Sequence, residues 1–220
     1  MSPASSPTPP IVPIAPTPQA NPITSAVEAT VARGTARLQV DALIADPAPT
    51  GRALRGQGAV DMIQGTSDMT WSDDVDPQWQ VREIVLQDAA YFSSDGSTWD
   101  EVPGGLITPT AELADPLRDL TKATGVILEG TEVINGQNLR RYAMQLPAVA
   151  VGFGLTDADR TSLANVLSVS ALVWVDEQGR ITRILRTLNT QAGAVATTDA
   201  QFSAFSEPVT IRSPMSATSG

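Results

Sequence analysis

Residues 125–146, GVILEGTEVINGQNLRRYAMQL, read as two strands folded back on one another. Asn135-Gly136 is the pair that a two-residue hairpin turn favours, because both central positions of a type I′ turn need positive φ. On the returning arm, Tyr142 and Met144 lie two apart and share one face.

The same grammar extends in both directions. In residues 35–42, Leu38 and Val40 alternate with Arg37, Gln39 and Asp41, the pattern of a half-buried strand. Residues 53–63 and 66–71 follow, joined near Gly65, with Val60 and Met62 facing one way and Met69 and Trp71 likewise. Residues 79–86, which include Val85, and 89–92 make a further pair, and Asp95-Gly96 marks the next turn. Residues 46–51 and 98–107 read as irregular from their Pro and Gly content. The last third is a meander: 169–175 with Leu172 and Trp174, a turn at 176–179, 180–189, a break at Gly193, 195–205, and a short strand at 209–212 between Pro208 and Pro214. Helical spacing appears at 23–33, ended by Gly34, and at 110–124, where Leu113, Leu117 and Leu120 share a face and Asp115 caps a helix starting at Pro116. A third helix, at 156–166, is capped by Thr156 or Asp157.

These elements sum to an α+β fold: one antiparallel sheet of roughly eight to eleven strands with two or three helices. A twisted sheet of that size curls, and helices grouped on its concave side make a half-barrel. Eight of the 17 prolines fall within residues 1–22, a stretch without a charged residue. It reads as a disordered, semi-rigid Pro/Ser-rich tether. The half-barrel domain is expected over 23–213 and a disordered tail over 214–220.

Composition excludes several classes of function. The chain has no cysteine and no histidine, so thiolate chemistry, Ser-His-Asp triads and His-based metal sites are ruled out. Its net charge of −10 argues against nucleic acid. No run of 18 apolar residues crosses a membrane as a helix. Asp73, Asp74 and Asp76 lie in a turn beside Pro77 and lack the glycine and distant glutamate of a calcium loop. No feature pairs two carboxylates as a hydrolase requires. Arg183 and Arg186, of opposite parity, do not share a face. No catalytic residue, metal or cofactor is expected.

Three stretches in order carry a resemblance: Trp99-Asp-Glu-Val-Pro103 with Ala114-Asp-Pro-Leu-Arg-Asp-Leu120; Gly130-Thr-Glu-Val-Ile-Asn-Gly136 running into Leu139-Arg-Arg-Tyr142; and Val173-Trp-Val-Asp-Glu-Gln-Gly-Arg-Ile181, closing with Phe205-Ser-Glu-Pro-Val-Thr-Ile211. Together they resemble the actinobacterial LppX/LprG-type lipoproteins of the LolA-like superfamily, over residues 23–212. The resemblance implies a half-barrel whose apolar cavity holds acyl chains, in a protein that binds or carries a lipid and performs no reaction. It also implies an extracytoplasmic place in the cell envelope, held by a lipidated N-terminal cysteine. That cysteine is absent from the chain, and a signal peptide ending in one is expected to precede Ser2 in the precursor.

The cavity candidates are Leu38, Val40, Val60, Met62, Met69 and Trp71 from the first half, with Val85, Tyr142, Met144, Leu172 and Trp174 from the second. The apolar segment 146–155, carrying Val149, Val151, Phe153 and Leu155, reads as a lid or entrance. The expected partners are a lipid or acylated hydrophobic ligand, the membrane through the anchor, and a protein of the envelope. The alternative is a protein-interaction or sensory module on the same fold, its cavity filled by side chains.

Overall fold

The computed structural model describes residues 21–44, 52–103, 109–147, 166–190 and 193–215. Its first element, α1 (Pro22–Val31), begins where the sequence provides a cap. The Asn21 side chain accepts a hydrogen bond from the Ile23 backbone N–H at 3.0 Å, and Pro22 takes a first-turn position that needs no donor. Ile23, Ala26 and Thr30 are buried, and Gly34, at φ +78°, turns the chain into the sheet.

Eleven strands then form a single antiparallel sheet. They are β1 (Thr35–Ile44), β2 (Arg52–Asp61), β3 (Thr66–Asp73), β4 (Gln80–Val85), β5 (Ala89–Ser93), β6 (Asp100–Pro103), β7 (Thr124–Ile134), β8 (Gln137–Leu146), β9 (Val166–Val175), β10 (Ile181–Thr190) and β11 (Gly193–Ser203). A short helix, α2 (Pro109–Leu113), and a 3₁₀ turn (Leu120–Lys122) interrupt the strands between β6 and β7. The spatial order is β6-β5-β4-β3-β2-β1-β11-β10-β9-β8-β7. Two meanders are therefore joined by pairing of β1 with β11, and the sheet stays open between β6 and β7. The turn at Asn135 and Gly136 has φ of +51° and +77°, and Ile134 pairs with Gln137, as the sequence predicts.

Register determines what lies inside. Leu38 and Val40 oppose Phe202 and Ala200 on β11 and Gly58 and Gly56 on β2. Those glycines oppose Met69 and Trp71, while Tyr142 and Met144 on β8 oppose Val173 and Ala171 on β9. All these side chains join one apolar cluster with Ile23 and Ala26 of α1 and with Leu113 and Leu120. Strands six places apart, β3 and β8, share a core with the same helices, so the sheet is curled around them as a half-barrel. Gly56 and Gly58 are the floor beneath the bulkiest inner residues. A Cβ on Gly56 would stand 2.2 Å from the Trp71 ring, and one on Gly58 would stand 2.8 Å from the Met69 sulfur.

Three predicted elements differ. The helix over 110–124 is broken: α2 ends at Leu113, and Asp119 takes φ +64° before the 3₁₀ turn. Its leucines still face the core, which the spacing required, but through turns rather than a continuous helix. Residues 100–103, read as irregular, form the edge strand β6. Residues 209–212 form no strand. They run as a strap in which Ile211 packs against Ile84, Ala89, Tyr91 and Trp99 on the outer face of β4 to β6. The helix at 156–166, apart from its last residue, the apolar segment 148–155 and residues 1–20 and 216–220 lie outside the described residues.

Candidate functional site

A cavity of about 190 Å³ opens where the rim of the sheet meets α1 and the α2 segment. The end of the β2–β3 hairpin supplies Val60 and Met62, β4 supplies Val85, and β11 supplies Phe202. Val31 closes it from α1, and Ala111, Ala114 and Leu117 close it from above. Asp61, Gly65 and Asp115 stand at its rim. Alternation puts these apolar groups there: Val60 and Val85 lie on inner parity on either side of the buried Ser67, which opposes both.

The predicted cavity residues divide into three sets. Val60, Met62 and Val85 line this cavity. Leu38, Val40, Met69, Trp71, Tyr142 and Met144 lie in the buried core beneath and beyond it, each at most 6 % exposed. Leu172 and Trp174 belong to neither, because the inner residues of β9 are Val169, Ala171, Val173 and Val175. Trp174 lies on the outer face, where its Nε1 donates to Glu132 at 2.8 Å and the Arg183 guanidinium stacks 4.7 Å above its ring. The physical reason is that the second half of β9, from Ala171 to Val175, is apolar at every position, so the face is marked only by Ser168 and Ser170, which share the parity of Leu172 and Trp174. Val149, Val151, Phe153 and Leu155 lie outside the described residues.

Two charged side chains on inner parity went unpredicted. Glu83, wholly buried between Val81 and Val85, accepts a hydrogen bond from Trp71 Nε1 at 3.0 Å. That bond fixes the indole flat over Gly56. Arg186, between Ile184 and Leu188, is 1 % exposed and donates to the carbonyls of Pro116 and Arg118 at 2.7 and 2.6 Å. Burial pushes its pKa down to about 10, partly opposed by the nearby carboxylates of Asp115, Asp119 and Glu112. Arg186 thus ties the sheet to the segment that roofs the cavity. A polar residue at the inner parity of an apolar strand was the visible signal for both.

Several other charged groups are engaged locally. Arg183 makes two bonds to Asp199, at 2.9 and 2.6 Å, on the outer face, while Arg186 points inward, so the two are split as parity required. Asp73 and Asp76 accept from the backbone N–H groups of Val75 and Gln78, and Asp74 faces Arg55. No cluster of three or more potential metal ligands occurs among the described residues.

No protein-family model and no curated protein matches the sequence. Solved structures do match. LprF from Mycobacterium bovis superposes with a TM-score of 0.57 at 12% identity, covering 88% of this chain and 95% of that one. The lipoprotein LppX from Mycobacterium tuberculosis superposes with a TM-score of 0.52 at 16% identity, covering 87% and 96%. The open, curled sheet, its helices and the near-complete coverage agree with the resemblance drawn from the three sequence stretches: the chain has the fold of LprF and LppX.

Proposed function

We propose that the protein is a non-enzymatic envelope lipoprotein that captures or carries a lipid or other hydrophobic ligand, taken up through the cavity bounded by Val60, Met62, Val85 and Leu117. The observation that carries this reading is the position of that cavity. It is a largely apolar opening where the core meets the roof held by Arg186. An apolar engineered cavity of about 150 Å³ takes up benzene, whereas drug-sized ligands fill about 300–1,000 Å³. At about 190 Å³ the site accommodates a short apolar segment, such as the end of an acyl chain. A longer stretch enters as the roof, residues 109–123, lifts from the sheet. Each buried CH₂ contributes about 0.8 kcal/mol, so eight carbons supply roughly 6 kcal/mol of capture. The lipoprotein LppX shares the fold, which supports an anchored life in the envelope.

The second reading, a protein-interaction module with a filled interior, has its own support. Trp71 and Met69, wholly buried, occupy the inner face above Gly56 and Gly58 and fill that part of the interior. Detergent-free purification followed by chloroform–methanol extraction and mass spectrometry separates the two. Carriage predicts a co-purifying lipid at near one-to-one ratio that is lost in Val60→Trp. An interaction module predicts no stoichiometric lipid, and no uptake of cis-parinaric acid by the delipidated protein.

A further inference from the structure

The outer face of the sheet carries a row that the interior site does not explain. Register sets Thr70, Gln57, Gln39, Gln201 and Arg183 side by side across β3, β2, β1, β11 and β10. All lie on outward parity, because Met69, Leu38, Val40, Ala200 and Phe202 fill the inward positions. The three glutamines are consecutive across three strands and exposed. The amides of Gln57 and Gln201 engage no described residue, and Gln39 makes one 3.3 Å bond to Asp41. The row floors a cleft at its β10–β11 end and runs on to a shallow, open depression over β1 to β3. One cleft, of about 440 Å³, lies over Gln39, Gln201 and Arg183 and is walled by the β7–β8 turn at Asn135 and Gln137. A second, of about 370 Å³, lies over Gln57 and Thr70 and shares Gln39 and Ser203 with the first.

We propose that this groove binds a neutral polysaccharide strand laid across the β-strands, with successive sugar units over Thr70, Gln57, Gln39 and Gln201. Three features select that chemistry. A primary amide both donates and accepts, as a hydroxyl does, so an amide row suits a ligand rich in hydroxyls. Charge within the row is cancelled, since Arg183 is bound in bidentate fashion by Asp199 and stacked on Trp174. Arg180, which also lines the first cleft, is paired with Asp176, and Arg37, with no ion-pair partner among the described residues, lines the second beside Gln39. Adjacent strands are about 4.8 Å apart, close to the advance of one pyranose unit along an extended chain, so one amide meets each sugar.

Affinity electrophoresis tests this in native gels cast with glucomannan or hydroxyethylcellulose, against a polymer-free gel and a polygalacturonate gel. The wild-type chain is expected to be retarded by at least one of the neutral polymers. Gln39→Ala with Gln201→Ala, both at exposed positions, is expected to weaken binding roughly 30-fold through two lost hydrogen bonds and to migrate freely. Val60→Trp, in the interior cavity, is expected to remain retarded. Equal mobility of the wild type with and without both neutral polymers overturns the proposal. Undiminished retardation of the double variant, or retardation by polygalacturonate alone, overturns it as well.

Discussion

Replacing Gly56 by alanine places a methyl group where the Trp71 indole already lies. The new Cβ would stand 2.2, 2.5 and 2.7 Å from three carbons of the six-membered ring. Gly56 does not use the left-handed backbone region, so the cost is steric rather than conformational. The ring does not yield cheaply, because its Nε1 is bonded to the buried Glu83. Overpacking of a tight core costs about 1–3 kcal/mol. Displacing the indole also breaks a hydrogen bond to a charged group, worth about 1.5–3 kcal/mol. The sum is about 2.5–6 kcal/mol, or a fall in Tm of roughly 5–24 °C for a domain of this size. Urea denaturation followed by tryptophan fluorescence and far-UV circular dichroism measures it. In a Trp71→Leu background the methyl group finds space, and the same change should cost less than about 0.5 kcal/mol, so the two sites couple strongly. A Gly56→Ala protein within about 0.5 kcal/mol of wild type would refute the claim that glycine is there to seat the indole.

Arg186→Met should release the carbonyls of Pro116 and Arg118, cost about 1–3 kcal/mol and raise amide exchange over residues 117–123 more than in the sheet; unchanged exchange there would remove the tie. The face assignment of β9 predicts that Val173→Asp unfolds the domain or costs over about 3 kcal/mol, whereas Leu172→Asp costs under about 1 kcal/mol, by chemical denaturation. Asp95 accepts bonds from the Thr98 and Ser97 backbone N–H groups, which hold its carboxyl well below the ordinary 3.8. A lowered folded pKa stabilises above the unfolded value and is lost as pH falls through the folded one. Wild type should therefore exceed Asp95→Asn in Tm at pH 7, with the gap narrowing steadily as pH falls below about 4.

Much of this fold was legible locally. Asn135-Gly136 defined its hairpin, and alternation through Leu38 and Val40 defined the inner face of β1. Long-range pairing was less so: no local signal places β1 beside β11, because that contact joins the two ends of the domain. The broken helix at 109–122 satisfied the same leucine spacing that a continuous helix would, and Asp119 at positive φ leaves no periodic trace. Parity failed at Leu172 and Trp174 because residues 171–175 are apolar on both faces, and the outer face is marked only by Ser168 and Ser170 earlier in the strand. At Glu83 and Arg186 the opposite held: the parity was readable, and burial of a charge becomes intelligible only once Trp71 and the Pro116 carbonyl are seen beside it. Gly56-Gln57-Gly58 likewise gains meaning from the two side chains laid over it.

The central claim, that the cavity beside Val60, Met62 and Val85 receives an apolar chain, is tested most directly by crystallising the protein with 12-bromododecanoic acid and locating bromine by anomalous scattering. The account predicts a single strong bromine peak in van der Waals contact with Val60, Met62, Val85 or Leu117, absent in Val60→Trp. A bromine peak confined to exposed apolar residues such as Ile127 or Leu128, or no peak in the interior at saturating ligand, would contradict it.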